Sequence, residues 1–198
     1  MKQQDRTLKT KKKILYAARF LFDSQGYEQS SVDQIAEHAN VAKGTVFAHF
    51  TDKASLLTAV KIDRLESIAQ DMLKRSLQPV GDDPVQAMVE ILKPWLDMFA
   101  SDREFTAVFM DQASLKGVDS ALRLYDACCA METAIINLVN NLLEYNRLSP
   151  NVSVNIYVQG ITAFFYHVLI GLQSGATKNS KEQELLLRSL LQRWLLPE

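Results

Sequence analysis

A chain of 198 residues with 47% hydrophobic and 23% charged side chains sits in the ordinary globular range, which excludes disorder and leaves room for one domain or two small ones with a real core. The net charge of −1 argues against a nucleic-acid partner only until it is located: residues 1–53 hold nine Lys+Arg against six Asp+Glu, net +3, and the remainder thirteen against seventeen, net −4. Seven Gly and five Pro permit long helices, and no run alternates as a strand would. No secretory signal opens the chain, and the most apolar window, residues 152–172, carries Asn155, Gln159 and His167, which a bilayer would penalise; an all-α cytoplasmic protein of about nine helices is expected.

The first helix spans about Leu8 to Ser24, burying Ile14, Leu15, Ala17, Ala18, Leu21 and Phe22. Gly26 stops it and Tyr27 packs back. Its start is basic, with Lys2, Arg6, Lys9, Lys11, Lys12, Lys13 and Arg19 against Asp5 alone, a set that could neutralise phosphates or simply be a solvated tail.

Residues 30–53 then read as two short helices set at an angle and the start of a third. Ser30 or Ser31 begins the second helix, with Asp33 or Gln34 completing a capping box in either register. Val32, Ile35, Ala36 and Ala39 form its buried side. Asn40 supplies the turn because it tolerates the left-handed region, and Val41 plugs the corner. The third helix, Lys43 to Phe50, hides Val46 and Phe50 and leaves Lys43, Gly44, Thr45, Ala48 and His49 open to a partner. A B-DNA major groove about 12 Å wide admits one such helix, and small residues at its leading turn let the backbone approach base edges. On this reading Lys43 and Thr45 reach bases, while His49, Lys53 and the helix N-terminus near Asp52 reach phosphates.

At these residues the chain resembles the tetracycline-repressor (TetR) family of transcriptional regulators. The family's run of G-Y, T-V-x-x-I-A, a short turn, K-G-T-V-Y-x-H-F and x-x-K-x-x-L-L is matched by Gly26, Tyr27, Ser31, Val32, Ile35, Ala36, Lys43, Gly44, Thr45, Val46, Phe47, His49, Phe50, Lys53, Leu56 and Leu57. The match covers about the first quarter of the chain. Three departures stand out: Asn40 for a usual Gly, Ala42 for a usual Ser that would cap the helix at a cost of roughly 1 kcal/mol when lost, and Phe47 for a usual Tyr whose hydroxyl would reach a phosphate. The resemblance implies an N-terminal three-helix DNA-binding domain, residues 1–53, contacting double-stranded DNA through Ser31, Lys43, Gly44, Thr45, Phe47, Ala48, His49 and Lys53. It also implies a helical ligand-binding and dimerisation domain, residues 54–198.

A fourth helix, about Ser55 to Ser76, reaches roughly 30 Å at 1.5 Å per residue and would join the two. Residues 78–84 are the clearest break. A fifth helix runs from about Pro84 to Ala100, with a kink and a freed carbonyl expected at Pro94. A sixth spans Asp102 to Leu115 and ends at Gly117; a seventh spans Asp119 to Tyr145; an eighth, Val152 to Gln173, is apolar on more than one face; a ninth spans Lys181 to Leu196. Helices this apolar need a cover. A two-fold dimer through Phe165, Leu169, Leu172, Leu186, Leu190, Leu191 and Trp194 would supply it, as in the family's four-helix interface, and would demand a roughly palindromic operator.

Trp95, Phe99, Phe105, Phe109, Met110, Tyr125, Met131 and Phe164 could line an apolar effector cavity, with His167 hydrogen-bonding its occupant, or could be plain core. Cys128 and Cys129, adjacent on a helix, point about 100° apart and are poorly set for a mutual disulfide. Three histidines and two cysteines show no metal spacing, no cofactor motif appears, and there are no paired catalytic carboxylates, nucleophile motif or phosphate-binding loop to suggest an enzyme. A dimeric repressor released from DNA by a small apolar or amphipathic effector is the reading the resemblance implies. A regulator answering to a protein partner, or to nothing, is the alternative.

Overall fold

The computed structural model describes residues 2–111 and 118–196. Among these, nine helices and no strand are present: α1 (Lys2–Gln25), α2 (Val32–His38), α3 (Lys43–His49), α4 (Lys53–Ser76), α5 (Pro84–Ser101), α6 (Arg103–Met110), α7 (Val118–Glu144), α8 (Val154–Ser174) and α9 (Ser180–Leu195). The chain divides into two compact units, one of residues 1–63 with 107–123, the other of residues 64–106 with 124–198.

In the first unit α1 packs on α2 and α2 on α3. Ile14, Ala17, Ala18, Phe22, Ile35, Val46, Phe50, Leu56 and Leu57 are buried there. Helix α1 starts six residues earlier than the apolar pattern suggests, because Lys, Gln and Arg are good helix formers and nothing in the basic start breaks the helix. Residues 4–9 are exposed. Gly26 takes φ +86 and accepts the end of the helix, its N–H donating to the Phe22 carbonyl at 3.1 Å. Helix α4 opens on Asp52, whose Oδ1 accepts from the Ser55 N–H at 2.7 Å.

The second unit is held by burial. Helices α5, α8 and α9 pack on one another, and Trp95, Phe99, Phe105, Phe165, Leu169, Leu172 and Leu191 are fully enclosed. Helix α5 has Asp83 as N-cap, accepting from Val85 N and Gln86 N at 2.9 Å each, with Pro84 at the first turn. The helix runs unbroken through Pro94. The carbonyl that this proline cannot serve is that of Glu90, four residues earlier, and the Arg75 guanidinium donates to it at 3.2 Å. The freed acceptor is thus satisfied from α4, and the helix continues past the proline. Helix α7 ends at Asn146, φ 55, with Arg147 N–H returning to the Leu142 carbonyl at 2.8 Å. The end expected for the sixth helix, at Leu115 and Gly117, lies outside the described residues.

Helix α8 is long and apolar enough to cross a membrane by length and composition. Tyr157, Val158, Ile161, Phe165, Val168, Leu169 and Leu172 on it are nevertheless buried within the unit, the signature of a core helix. Phe165, Leu169, Leu172 and Leu191, expected from sequence at a dimer interface, are therefore interior: each is 0% exposed in the single chain. Their apolar character is already covered by α5 and by each other. Leu186 and Leu190 are half-buried, and Trp194 keeps 37% of its surface.

Candidate nucleic-acid interface

The geometry around α3 is fixed by local hydrogen bonds. Ser31, not Ser30, caps α2: its hydroxyl accepts from Gln34 N at 3.2 Å while Gln34 Oε1 accepts from Ser31 N at 2.8 Å, a complete capping box. Ser30 is buried and donates to the Gly26 carbonyl at 2.7 Å instead. Helix α2 closes with Asn40 at φ 53, Asn40 N donating to Glu37 O at 3.0 Å and Val41 N to Ala36 O at 2.9 Å. That pair of bonds is a Schellman turn, and it sets the angle between α2 and α3. Ala42 precedes α3 with no side-chain cap. The first N–H groups of α3 thus have no side-chain acceptor of their own.

On α3, Val46 and Phe50 are buried; Lys43, Gly44, Phe47 and Ala48 are exposed; Thr45 and His49 are half-buried. Gly44 is the telling residue. A Cβ built on it meets nothing within 4 Å, and its φ is not positive. Neither packing nor backbone conformation requires a glycine there, although it costs about 0.5–1 kcal/mol relative to Ala in a helix. Phe47 leaves 46% of its surface in solvent beside it. Lys43 is paired with Asp33 at 2.8 Å, both exposed; such a surface pair holds within about 1 kcal/mol and can yield to a phosphate or a guanine edge.

Lys53 lies elsewhere than its assumed phosphate role suggests. Its ammonium donates to the Tyr27 carbonyl at 2.8 Å and the Ser30 carbonyl at 3.1 Å, and sits 4.1 Å above the Tyr27 ring. Burial foremost, then the charges of Glu28 and Asp52, raise the Tyr27 pKa from its usual 10.0, so the ring under the cation stays a neutral phenol. Lys53 is a clamp on the turn between α1 and α2. The anion site expected at the start of α4 is likewise taken, since the Asp52 carboxylate caps it. A contact the sequence did not announce is the stacking of Phe20 on His38, centroids 4.8 Å apart, which ties α1 to the end of α2.

The residues expected to line an effector cavity do not come together as one set. Trp95 and Phe99 join Phe105 and Phe165 in a packed aromatic cluster, with centroids 5.8–6.4 Å apart. Met131 is buried in the same unit; Phe109 is buried in the other, and Met110 is half-buried. Tyr125 and His167 are exposed, and Phe164 meets Trp194 edge-on at 6.1 Å. Among the described residues, recesses lie in the second unit. One of about 250 Å³ is bounded by Arg75, the 78–81 loop and Glu90, and one of about 430 Å³ lies between α7 and α8. Cys128 is half-buried, and burial foremost, then Cys129, pushes its thiol up to about 11, which makes it inert near neutrality. Among the described residues no cluster of three or more His, Cys, Asp or Glu could hold a metal ion.

Known proteins resemble this chain at the same features. Residues 14–60 match the profile of bacterial regulatory proteins, tetR family. The HTH-type transcriptional regulator SrpR of Pseudomonas putida is 22% identical over 187 residues, covering 92% of this chain and 82% of that protein. The HTH-type transcriptional repressor KstR of Rhodococcus jostii is 26% identical over 187 residues, 91% of this chain and 82% of its own length. Among solved structures, the transcriptional regulator FadR from Bacillus subtilis in complex with stearoyl-CoA superposes with a TM-score of 0.65 at 16% identity, covering 94% of this chain and 98% of that one. FadR of Thermus thermophilus, a TetR-family repressor in complex with lauroyl-CoA, gives 0.66 at 19% identity over 95% and 96%. These likenesses establish the fold.

Proposed function

We propose that this chain, whose residues 14–60 match the profile of bacterial regulatory proteins of the tetR family, acts as a homodimeric repressor released from a roughly palindromic operator by a small apolar or amphipathic effector. It is a DNA-binding transcriptional regulator of the helix-turn-helix type. The observation that carries the reading is the open face of α3, where a glycine with no packing duty stands between Lys43 and Phe47. Residues 1–53 are assigned to the duplex and 54–198 to effector and partner, with α4, which passes from Asp63 in one unit to Arg64 in the other, as the shared element. A cytoplasmic protein without catalytic activity is the corresponding expectation.

For the dimer, the apolar side chains left outside on α8 and α9 are the candidates: Ile156, Ile170, Leu185 and Trp194. A two-fold pair would give two reading helices half-sites about one turn, or a multiple of it, apart. Two structural neighbours of this fold carry acyl-CoA ligands, which supports a small-molecule effector here. Effector and operator must prefer different members of one conformational equilibrium, since a ligand of equal affinity for both shifts nothing. One observation favours the alternative of a protein-controlled regulator: the Trp95, Phe99 and Phe165 rings are in contact and fully enclosed, leaving no room among themselves.

Selection of bound duplexes from a random pool tests the reading directly. A two-fold symmetric motif is expected, with preference relaxed at one or two positions by Lys43→Ala or Thr45→Ala. Recovery of no enriched sequence would remove the assignment of α3 as a base reader.

A further inference from the structure

The open face of α3 is poor in hydrogen-bonding groups. Of the residues it exposes, Gly44, Phe47 and Ala48 have no polar side-chain atom, and Lys43 holds its ammonium against the Asp33 carboxylate at 2.8 Å. Thr45 and His49 are only half open. Phe47 is the anomaly, a hydrocarbon ring that leaves 46% of its surface in water. It shares a face with Lys43 and Gly44, four and three residues before it. Nothing lies within 4 Å of a Cβ built on Gly44, so the ring does not fold back over the glycine to shelter there. The duplex backbone offers such a ring no partner, because phosphate oxygens take hydrogen bonds and a phenyl group has no proton to donate. Base edges in the major groove present donors, acceptors and a single kind of apolar group, the C5 methyl of thymine.

We infer that Phe47, with Ala48 beside it, reads thymine by its methyl group, so that each half-site of the operator holds at least one thymine selected by shape and apolar contact and not by a hydrogen bond. The inference rests on the assignment of α3 to the major groove made above, and adds the chemistry by which the helix selects. It has a corollary: 5-methylcytosine carries the same methyl at the same ring position, and partly replaces thymine at the site that Phe47 touches.

The test uses the purified full chain and the duplex recovered by selection, titrated by fluorescence anisotropy at low salt, where phosphate contacts keep weakened variants measurable. Each thymine is replaced in turn by deoxyuridine, which removes the methyl and leaves the hydrogen-bonding edge unchanged. A loss of about fourfold is expected at one position per half-site, and more than about tenfold when both half-sites are changed. A C·G pair at that position should bind more weakly than T·A, and 5-methylation of its cytosine should recover about fourfold. Phe47→Ala should bind the thymine and deoxyuridine duplexes alike, whereas Phe47→Tyr, which keeps the ring, should keep the discrimination. Equal affinity for deoxyuridine at every position, or full discrimination surviving in Phe47→Ala, would overturn the inference while leaving α3 as the base reader. Selection that enriches no sequence would remove both.

Discussion

The two units of this chain keep their helices by different means. In the first, short helices are fastened at their ends: a capping box at Ser31, a Schellman turn at Asn40, a carboxylate cap at Asp52 and the Lys53 ammonium across two carbonyls. In the second, long helices are fastened along their lengths by Trp95, Phe99, Phe165, Leu169 and Leu191, none of which keeps any exposed surface. End-fastening leaves one side of a seven-residue helix such as α3 free for a partner. Side-fastening consumes the apolar faces of α5, α8 and α9 in their own packing, so that apolar character alone says little about what those helices show to the outside.

The largest expected effect tests the second half of that contrast. Phe165→Ala removes a fully enclosed ring that touches Trp95 and Phe99 at 6.2 and 6.4 Å between centroids. A loss of about 3–5 kcal/mol in unfolding free energy is expected, read from a denaturant midpoint. If the variant kept its stability and changed only its mass in solution, Phe165 would be an interface residue after all and the burial argument would fall. Ile170→Glu is the complement, because Ile170 is 52% exposed on the same helix: stability should hold while any dimer dissociates, as analytical ultracentrifugation would show.

A contact of intermediate size joins α8 to α9. A Cβ on Gly160 would stand 2.8 Å from the Trp194 indole, so Gly160→Ala must displace the ring or part the helices. Overpacking of this kind costs about 1–3 kcal/mol. Trp194→Leu in the same chain should return most of the loss, and the Trp194 emission should shift in the single variant. Additive losses in the double variant would show that the two residues do not meet.

These cases show what the sequence could and could not disclose. The helix-turn-helix was legible because its signals are local: Ser31 three residues before Gln34, Asn40 where φ turns positive, and a glycine on an outward face can all be read along the chain. The inner and outer sides of α8 were not. Phe164, Phe165, Val168, Leu169, Ile170 and Leu172 occupy too wide an arc for periodicity to separate Phe165, enclosed, from Ile170, exposed. The contacts of Lys53 were hidden for the converse reason. Its position fits the motif that the N-terminal residues resemble, but its partners, Tyr27 and Ser30, lie 26 and 23 residues away, and no spacing rule predicts a bond of that range.

Lys53→Met sharpens the first half of the contrast. Removing the ammonium strands two carbonyls and leaves the Tyr27 ring without its cation, which should lower stability by about 1–3 kcal/mol in the absence of DNA. The salt dependence of operator binding should change by less than the unit expected for a lost phosphate contact. A full unit lost, with stability unchanged, would return this lysine to the phosphates.

The smallest effect is the most discriminating. Gly44→Ala adds a methyl group where nothing lies within 4 Å, in a helix whose backbone suits any residue, so the fold should gain about 0.5–1 kcal/mol and its Tm should rise. If α3 enters the major groove, that same methyl stands between the helix backbone and the base edges. Operator affinity should then fall while stability climbs. The two measurements move in opposite directions only when the glycine serves a surface outside its own chain; if both rose together, the open face of α3 would have lost its claim to the DNA.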